Sequence, residues 1–186
     1  MPKTAKINTA DKEQEDQPQL LPADNPNSKL TLLLKEYLGD DEIHSIWDAY
    51  RLSKKAHEGQ KRISGEDYIT HPVSVACIAA KFHLDAASIQ AALLHDVVED
   101  TSVTIDEIES QFNPQVAQLV EGLSKLDKIN FNDATHAQAE NFRKMLLAMS
   151  QDVRVILVKL SDRLHNMQTL NPVSYTHLTL PTIYSV

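Results

Sequence analysis

The segment "AALLHDVVEDT", Ala91 to Thr101, sets four ionisable side chains, His95, Asp96, Glu99 and Asp100, in an otherwise apolar run. On a helix the positions i, i+1, i+4 and i+5 share one arc of surface. These four residues occupy that arc, while Val97 and Val98 fall away from it. Working back along the chain, Ala86 to Val98 is apolar nearly all round, which predicts a central, buried helix. Three carboxylates at the end of such a helix repel one another. At least one would take up a proton unless a cation compensates. Imidazole with carboxylate is a ligand set suited to a first-row divalent metal. The plainer alternative is a solvated helix end whose acids face water, the commoner fate of charged residues. The apolar helix leading into the cluster weighs against it.

Two other segments supply groups of the same kind. "YITHPVSVA" sets His71 beside Pro72, which suits the first turn of a helix running to about Phe82 because its missing N–H is unpaired there anyway. "VKLSDRLHNMQTL" carries Asp162 within an apolar helix expected from Val153 to about Thr169, with Asp152 as its N-cap. On that helix Lys159, Asp162, Asn166 and Thr169 are spaced by three, four and three and form one polar stripe, while Val155, Ile156, Leu160 and Leu164 take other faces.

The remaining pattern is helical almost throughout. Helices are expected at Leu30–Leu38 and at Asp41–His57, where Ile43, Trp47 and Tyr50 bury one stripe. Thr104 and Glu107 have capping-box spacing and start a helix ending near Phe112. Pro114 starts another, and Ala137–Met149 a further one. "GQKRISGEDYIT" reads as a loop. No segment shows two-residue alternation, and four glycines with 5% aromatics argue against a sandwich or barrel. The expected architecture is an all-α bundle of roughly eight helices with non-parallel crossings.

At 186 residues the chain is long enough for one domain with a real core. Its formal charge of -8 speaks against a protein that coats nucleic acid. It does not exclude a nucleotide substrate, since a bound cation or a local basic cleft reverses the field locally. Cys77 has no partner for an internal disulfide and reads as a buried hydrophobe. No signal-peptide pattern and no apolar run of about 18 residues is present, so the expectation is a cytoplasmic protein without membrane contact. Residues 1–28, polar and dotted with proline, read as a disordered leader.

The order His71, then His95-Asp96, then Asp162 resembles the ligand order of the HD phosphohydrolase superfamily. The surrounding words "RISGEDYITHPVSVA", "AALLHDVVEDT", "VEGLSKLDKINF" and "QAENFRKMLLAMSQDVRVILVKLSDRLHNMQTL" narrow this to the hydrolase domain of RelA/SpoT-type stringent-response proteins, over roughly Leu30 to Leu170. The resemblance implies an HD-domain helical bundle in which His71, His95, Asp96 and Asp162 hold a manganese ion. It implies that Glu99 and Asp100 activate the attacking water and that Arg62 packs on a guanine base. Ser64, Tyr68, Lys125, Lys159, Asn166 and Thr169 would line the nucleotide pocket. The implied reaction is hydrolysis of the 3′-pyrophosphate of guanosine tetra- or pentaphosphate to GDP or GTP plus pyrophosphate. Lys54, Lys55, Lys61, Arg62, Lys125, Lys128 and Lys159 come from segments that could converge on so anionic a substrate. One departure is visible: the family commonly has Gly-Glu-Pro-Tyr where this chain has Gly65-Glu66-Asp67-Tyr68, which predicts a less rigid loop.

The domain is expected to span 29–172. The stretch from Val173 to Val186, rich in threonine, resembles the in-frame translation of a transposon-type sequencing adapter. The chain therefore reads as truncated at the C-terminal end of its hydrolase domain, without the synthetase and regulatory domains of full-length family members. A genuine divergent tail is the alternative. Two further readings of function stand beside the hydrolase: an HD-family phosphohydrolase acting on another nucleotide, and an inactive truncated fragment that only binds nucleotide.

Overall fold

The computed structural model describes residues 29–127 and 152–169. The leader at 1–28, the expected helix Ala137–Met149, Lys128 and the tail at 173–186 lie outside the described residues. Within them the chain is helical: α1 (Lys29–Lys35), α2 (Asp40–Ala56), α3 (Thr70–Lys81), α4 (Ala86–Leu94), α5 (Val97–Asp100), α6 (Ile105–Gln111), α7 (Pro114–Asp127) and α8 (Val153–Gln168). No strand occurs among the described residues; a single antiparallel bridge joins Lys61 to Asp67. The all-α expectation holds.

The organising element is α4, which packs against α2, α3, α7 and α8. Every residue from Ala87 to Leu94 is buried. Alanines at 87, 91 and 92 keep the helix thin, and Ile89, Leu93 and Leu94 fill the space between it and its neighbours. Around it stand Leu30 and Leu34 of α1, Ile46 and Trp47 of α2, Val75 and Cys77 of α3, and Leu119 and Leu123 of α7. Helix starts follow the sequence signals. Thr104 and Glu107 form the reciprocal capping box, with Glu107 N donating to Thr104 Oγ1 at 3.3 Å and Thr104 N to Glu107 Oε2 at 2.8 Å. Asp152 accepts the Arg154 amide at 2.9 Å as the N-cap of α8. Arg154 also bridges to Asp85, the N-cap of α4, and so ties the starts of the two helices together.

The first helix ends at Lys35 and not at Leu38, and a second boundary difference shapes the site. The helix beginning at Ala86 does not run on to Val98 but ends at Leu94, and a new turn starts at Val97. His95 Nδ1 lies 2.9 Å from the Ala92 carbonyl, the acceptor that the Asp96 amide would use in an unbroken helix. Asp96 then departs from helical values (φ -95°, ψ -9°), and its own carbonyl accepts the amides of Glu99 at 3.2 Å and Asp100 at 2.9 Å. The side chain of His95 thus competes with the backbone ladder and resets the helix.

The α7–α8 contact depends on Gly122. A Cβ placed there would lie 2.9 Å from Val155 Cγ2, and Val155 is itself buried and stiff at χ1. Overpacking of this kind costs about 1–3 kcal/mol, against about 1 kcal/mol gained in helix propensity. Gly122→Ala is therefore expected to lower Tm by a few degrees in a thermal melt, and adding Val155→Ala is expected to restore part of the loss.

Candidate active site

Three helices deliver the central groups. His71 sits in the first turn of α3, His95 at the break after α4, and Asp162 in the middle of α8; all three are buried. Each offers one donor atom, and these atoms lie within 4.8 Å of one another. His71 Nε2 is 3.2 Å from Asp162 Oδ1 and 3.6 Å from Asp96 Oδ2. His95 Nε2 is 3.0 Å from Asp96 Oδ1 and 3.8 Å from Asp162 Oδ1. A carbonyl can only accept, so His95 Nδ1 carries the proton shared with Ala92, and in the neutral ring Nε2 presents its lone pair to the centre. That nitrogen is fully buried and has no hydrogen-bond partner.

Lone pairs facing carboxylate oxygens at such distances repel, so the arrangement requires positive charge between them. The electrostatics of the three groups point the same way. Burial pushes the Asp96 carboxyl up, but the His95 imidazole, the Tyr68 hydroxyl and His71 outweigh it and hold it at about 2. Burial likewise opposes, and His71, His95 and Lys159 overcome, the tendency of Asp162 to protonate, leaving it well below the usual carboxylate range. Burial disfavours a charged His95, yet Asp96 and Asp162 raise its pKa above the ordinary value. Two imidazoles with carboxylate oxygens form a donor set that can hold a divalent metal ion there.

The cluster forms the floor of a cleft of about 1140 Å³ lined by Arg62, Ser64, Tyr68, His71, Asp96, Glu99, Lys159, Asp162, His165, Asn166 and Thr169, with Lys61 at its edge. The loop from Gln60 to Tyr68 supplies one wall. It folds as a small hairpin, with Tyr68 N donating to Gln60 O at 3.0 Å, Arg62 N to Glu66 O at 2.9 Å and Gly65 N to Arg62 O at 2.9 Å. Gly65, at φ +90°, provides the turn that a residue with a side chain resists. Asp67 pairs with Lys61 at 3.0 Å across the hairpin. The other wall is the polar stripe of α8. Lys159 Nζ donates to Asp162 Oδ2 at 2.9 Å and Asn166 Nδ2 to Asp162 Oδ1 at 2.7 Å, so the stripe orients the central carboxylate. Arg62 Nη2 reaches Asn166 Oδ1 at 3.4 Å and joins the two walls.

A family model described as "HD domain" matches residues 49–182. The chain belongs to the HD-domain family. It is 58% identical over 141 residues to the bifunctional (p)ppGpp synthase/hydrolase SpoT of Escherichia coli strain K12, covering 76% of this chain and 20% of that protein. A guanosine-3′,5′-bis(diphosphate) 3′-pyrophosphohydrolase of Vibrio cholerae is 56% identical over 136 residues, covering 73% and 19%. A protein named GTP pyrophosphokinase rsh from Brucella melitensis is 54% identical over 122 residues, covering 66% and 16%. The chain spans about a fifth of the length of the curated relatives it matches. Among solved structures it resembles one described as a metazoan ortholog of SpoT that hydrolyzes ppGpp, with a TM-score of 0.53, 26% identity and 71% of each chain covered.

This HD domain gathers most of the residues expected from its sequence, though not all. Glu99 lines the cleft, whereas Asp100 does not; its carboxylate accepts from the Tyr68 hydroxyl at 3.1 Å. Tyr68 is more than a pocket wall, because its single hydroxyl proton is shared between Asp96 Oδ2 at 2.7 Å and Asp100 Oδ2 at 3.1 Å. Burial, then the charge of Asp96, raises the phenol's pKa and keeps it a donor. Lys125 is placed elsewhere. It pairs with Glu121 at 2.8 Å and lines a separate small cleft with Gly122, Asp152 and Val155 at the start of α8. From Val155 to Asn166 the helix climbs about 16 Å at 1.5 Å per residue, so Lys125 lies at the opposite end of α8 from the cleft. Lys54 and Lys55 line a neighbouring cleft with Arg51 and His57 on the far side of the Tyr68 loop.

Two histidines were missed. His57 is buried, stacks on the Tyr68 ring at 4.5 Å between centroids and holds Gln60 Oε1 at 2.9 Å; Gln60 Nε2 in turn reaches the Asp100 carbonyl at 3.3 Å. His165 Nδ1 lies 2.8 Å from His71 Nδ1. Burial, then the nearby charges of His71 and Arg62, lowers the His165 pKa to about 4. Its spacing of three from Asp162 was the signal that could have placed it on the same face.

Proposed function

We propose that this HD domain hydrolyses the 3′-pyrophosphate of guanosine tetra- or pentaphosphate, releasing pyrophosphate and leaving GDP or GTP, with a manganese ion held by His71, His95, Asp96 and Asp162. The observation that carries the proposal is the buried His95 Nε2 facing Asp96 Oδ1 at 3.0 Å and Asp162 Oδ1 at 3.8 Å, beside a cleft that Asp96 and Asp162 line together with Lys61, Arg62 and Lys159. Likeness to proteins named for this hydrolysis supports the substrate. The matched structure's description names hydrolysis, and its likeness covers 71% of that chain, which favours hydrolase over the pyrophosphokinase activity named for the Brucella relative.

When bound, the metal supplies Lewis acidity, polarising a phosphate oxygen and lowering the pKa of a nearby water. The chain's own residues do the rest. Glu99, one turn beyond His95, takes the proton from the attacking water. Water is added across the 3′ O–P bond, its hydroxyl going to the departing pyrophosphate and a proton to the ribose oxygen. Arg62, which lines the cleft, offers a planar guanidinium suited to stacking on the purine. Ser64, Tyr68, Asn166 and Thr169 complete the pocket, and Lys61 and Lys159 supply positive charge beside the phosphates. Lys125 stays outside this set because of its place at the other end of α8. The domain limits 29–172 and a cytoplasmic location belong to the same proposal. Among the described residues no helix is long and apolar enough to cross a membrane.

The test is release of pyrophosphate from guanosine tetraphosphate by purified protein with manganese, read beside GTP, GDP and ATP. GDP and pyrophosphate are expected from the tetraphosphate alone. No turnover by a folded, manganese-loaded sample would leave the nucleotide-binding fragment as the better reading. Equal turnover of the ordinary nucleotides would transfer the site to another substrate.

A further inference from the structure

A hydrogen bond between two ring nitrogens has one donor and one acceptor, and this decides how His71 can meet a metal. Its Nδ1 lies 2.8 Å from His165 Nδ1, and its Nε2 faces Asp162 at 3.2 Å and Asp96 at 3.6 Å. A neutral imidazole carries one proton. If that proton sat on Nε2, His71 would offer the centre no lone pair. We infer that His165 is the positioning residue that makes His71 a ligand, accepting the His71 Nδ1 proton and so fixing the tautomer that leaves Nε2 bare. His95 obtains the same tautomer from the Ala92 carbonyl at 2.9 Å. The two imidazoles at the centre are therefore set by two different acceptors, one backbone and one side chain.

The geometry around His165 fits this role. The two rings lie 5.0 Å apart between centroids and are tilted by 33°. The His165 ring is carried on α8 one turn beyond Asp162, so the helix that supplies the buried carboxylate also supplies the acceptor for the facing histidine. Once its Nδ1 accepts, the His165 proton must reside on Nε2, at the other edge of the ring. The ring lines the cleft. The inference rests on the metal reading proposed above, but not on the identity of the nucleotide.

The test reads manganese affinity without substrate, by the signal of free ion during titration of the metal-free protein. Partners of this kind affect metal affinity by about 10–100-fold when removed. His165→Phe, which keeps a ring and loses the acceptor, is expected to weaken binding by that factor. His165→Asn, whose amide oxygen falls near the Nδ1 position, is expected to bind within a few-fold of the unmodified chain. Equal affinity in all three would overturn the inference, as would equal loss in both variants. A second measurement needs no variant. Two-bond proton–nitrogen correlation spectra of the zinc-loaded protein are expected to show His71 protonated at Nδ1 and His165 at Nε2, and the reverse assignment sinks the idea. Failure of the nucleotide assay with normal manganese affinity would leave this inference standing and remove only the substrate.

Discussion

Asp96→Ala is expected to abolish pyrophosphate release while leaving a folded protein, a loss of about 10³-fold or more in kcat. A metal contributes several kcal/mol of transition-state stabilisation, and about 4 kcal/mol corresponds to that factor. The fold should survive because of what Asp96 does and does not touch. It lies at the break between α4 and α5 and is only partly buried. Its removal takes a carboxylate from His95 at 3.0 Å, from His71 at 3.6 Å and from Tyr68 at 2.7 Å, but Asp162 still faces both histidines and Asp100 still accepts from Tyr68 at 3.1 Å. Asp162 is the instructive contrast. It is 5% exposed and receives hydrogen bonds from Lys159 and Asn166 as well as facing both histidines. Removing one member of a buried charged pair costs on the order of 3 kcal/mol or more. Asp162→Ala should therefore lower Tm by several degrees as well as losing metal, while Asp96→Ala loses metal alone. Circular dichroism melts beside manganese titrations separate the two, and a comparable loss of Tm in both variants would show that Asp96 is a structural residue first.

How much of this was legible beforehand depended on whether the deciding interaction was local. His71, His95, Asp96 and Asp162 could be picked out because ionisable types stood in apolar context, and burying them bare is too costly to be accidental. The central position of α4 followed from a run with no polar face. The break at His95 was not legible, because it arises from a side chain taking a backbone carbonyl that a periodicity argument assigns to the helix. The place of Lys125 was not legible for a different reason. Sequence shows that α7 is amphipathic, but not which end of α8 it faces, and one helix length separates the two answers. His57, between Ala56 and Glu58, and His165, between Leu164 and Asn166, stand in no motif that marks them as part of a site. Only the tertiary packing shows that each ring holds another residue of the site: His57 backs Tyr68, and His165 backs His71.

Glu99 and Asp100 are adjacent in sequence and were expected to share one task, yet the structure separates them. Glu99 lines the cleft beside Asp96, while Asp100 turns to the Tyr68 hydroxyl and is held from behind by Gln60 on its carbonyl. A general base must reach the proton it abstracts, directly or through one water. On that criterion Glu99 is the residue proposed as the base, while Asp100 shares the single Tyr68 hydroxyl proton with Asp96 and so helps hold the tyrosine in place. Glu99→Gln, which preserves shape and removes basicity, is expected to lower kcat by about 10²–10⁴-fold. Manganese affinity and KM should change by no more than a few-fold, since neither metal nor substrate binding requires a basic group there. Asp100→Asn should cost much less, because an amide oxygen still accepts from Tyr68, and part of its effect should appear as weaker manganese binding through Asp96. Single-turnover rates of the two variants at saturating manganese decide the matter. A larger fall for Asp100→Asn than for Glu99→Gln would assign the base to Asp100, and it would mean that the loop carrying Tyr68 moves when the substrate enters.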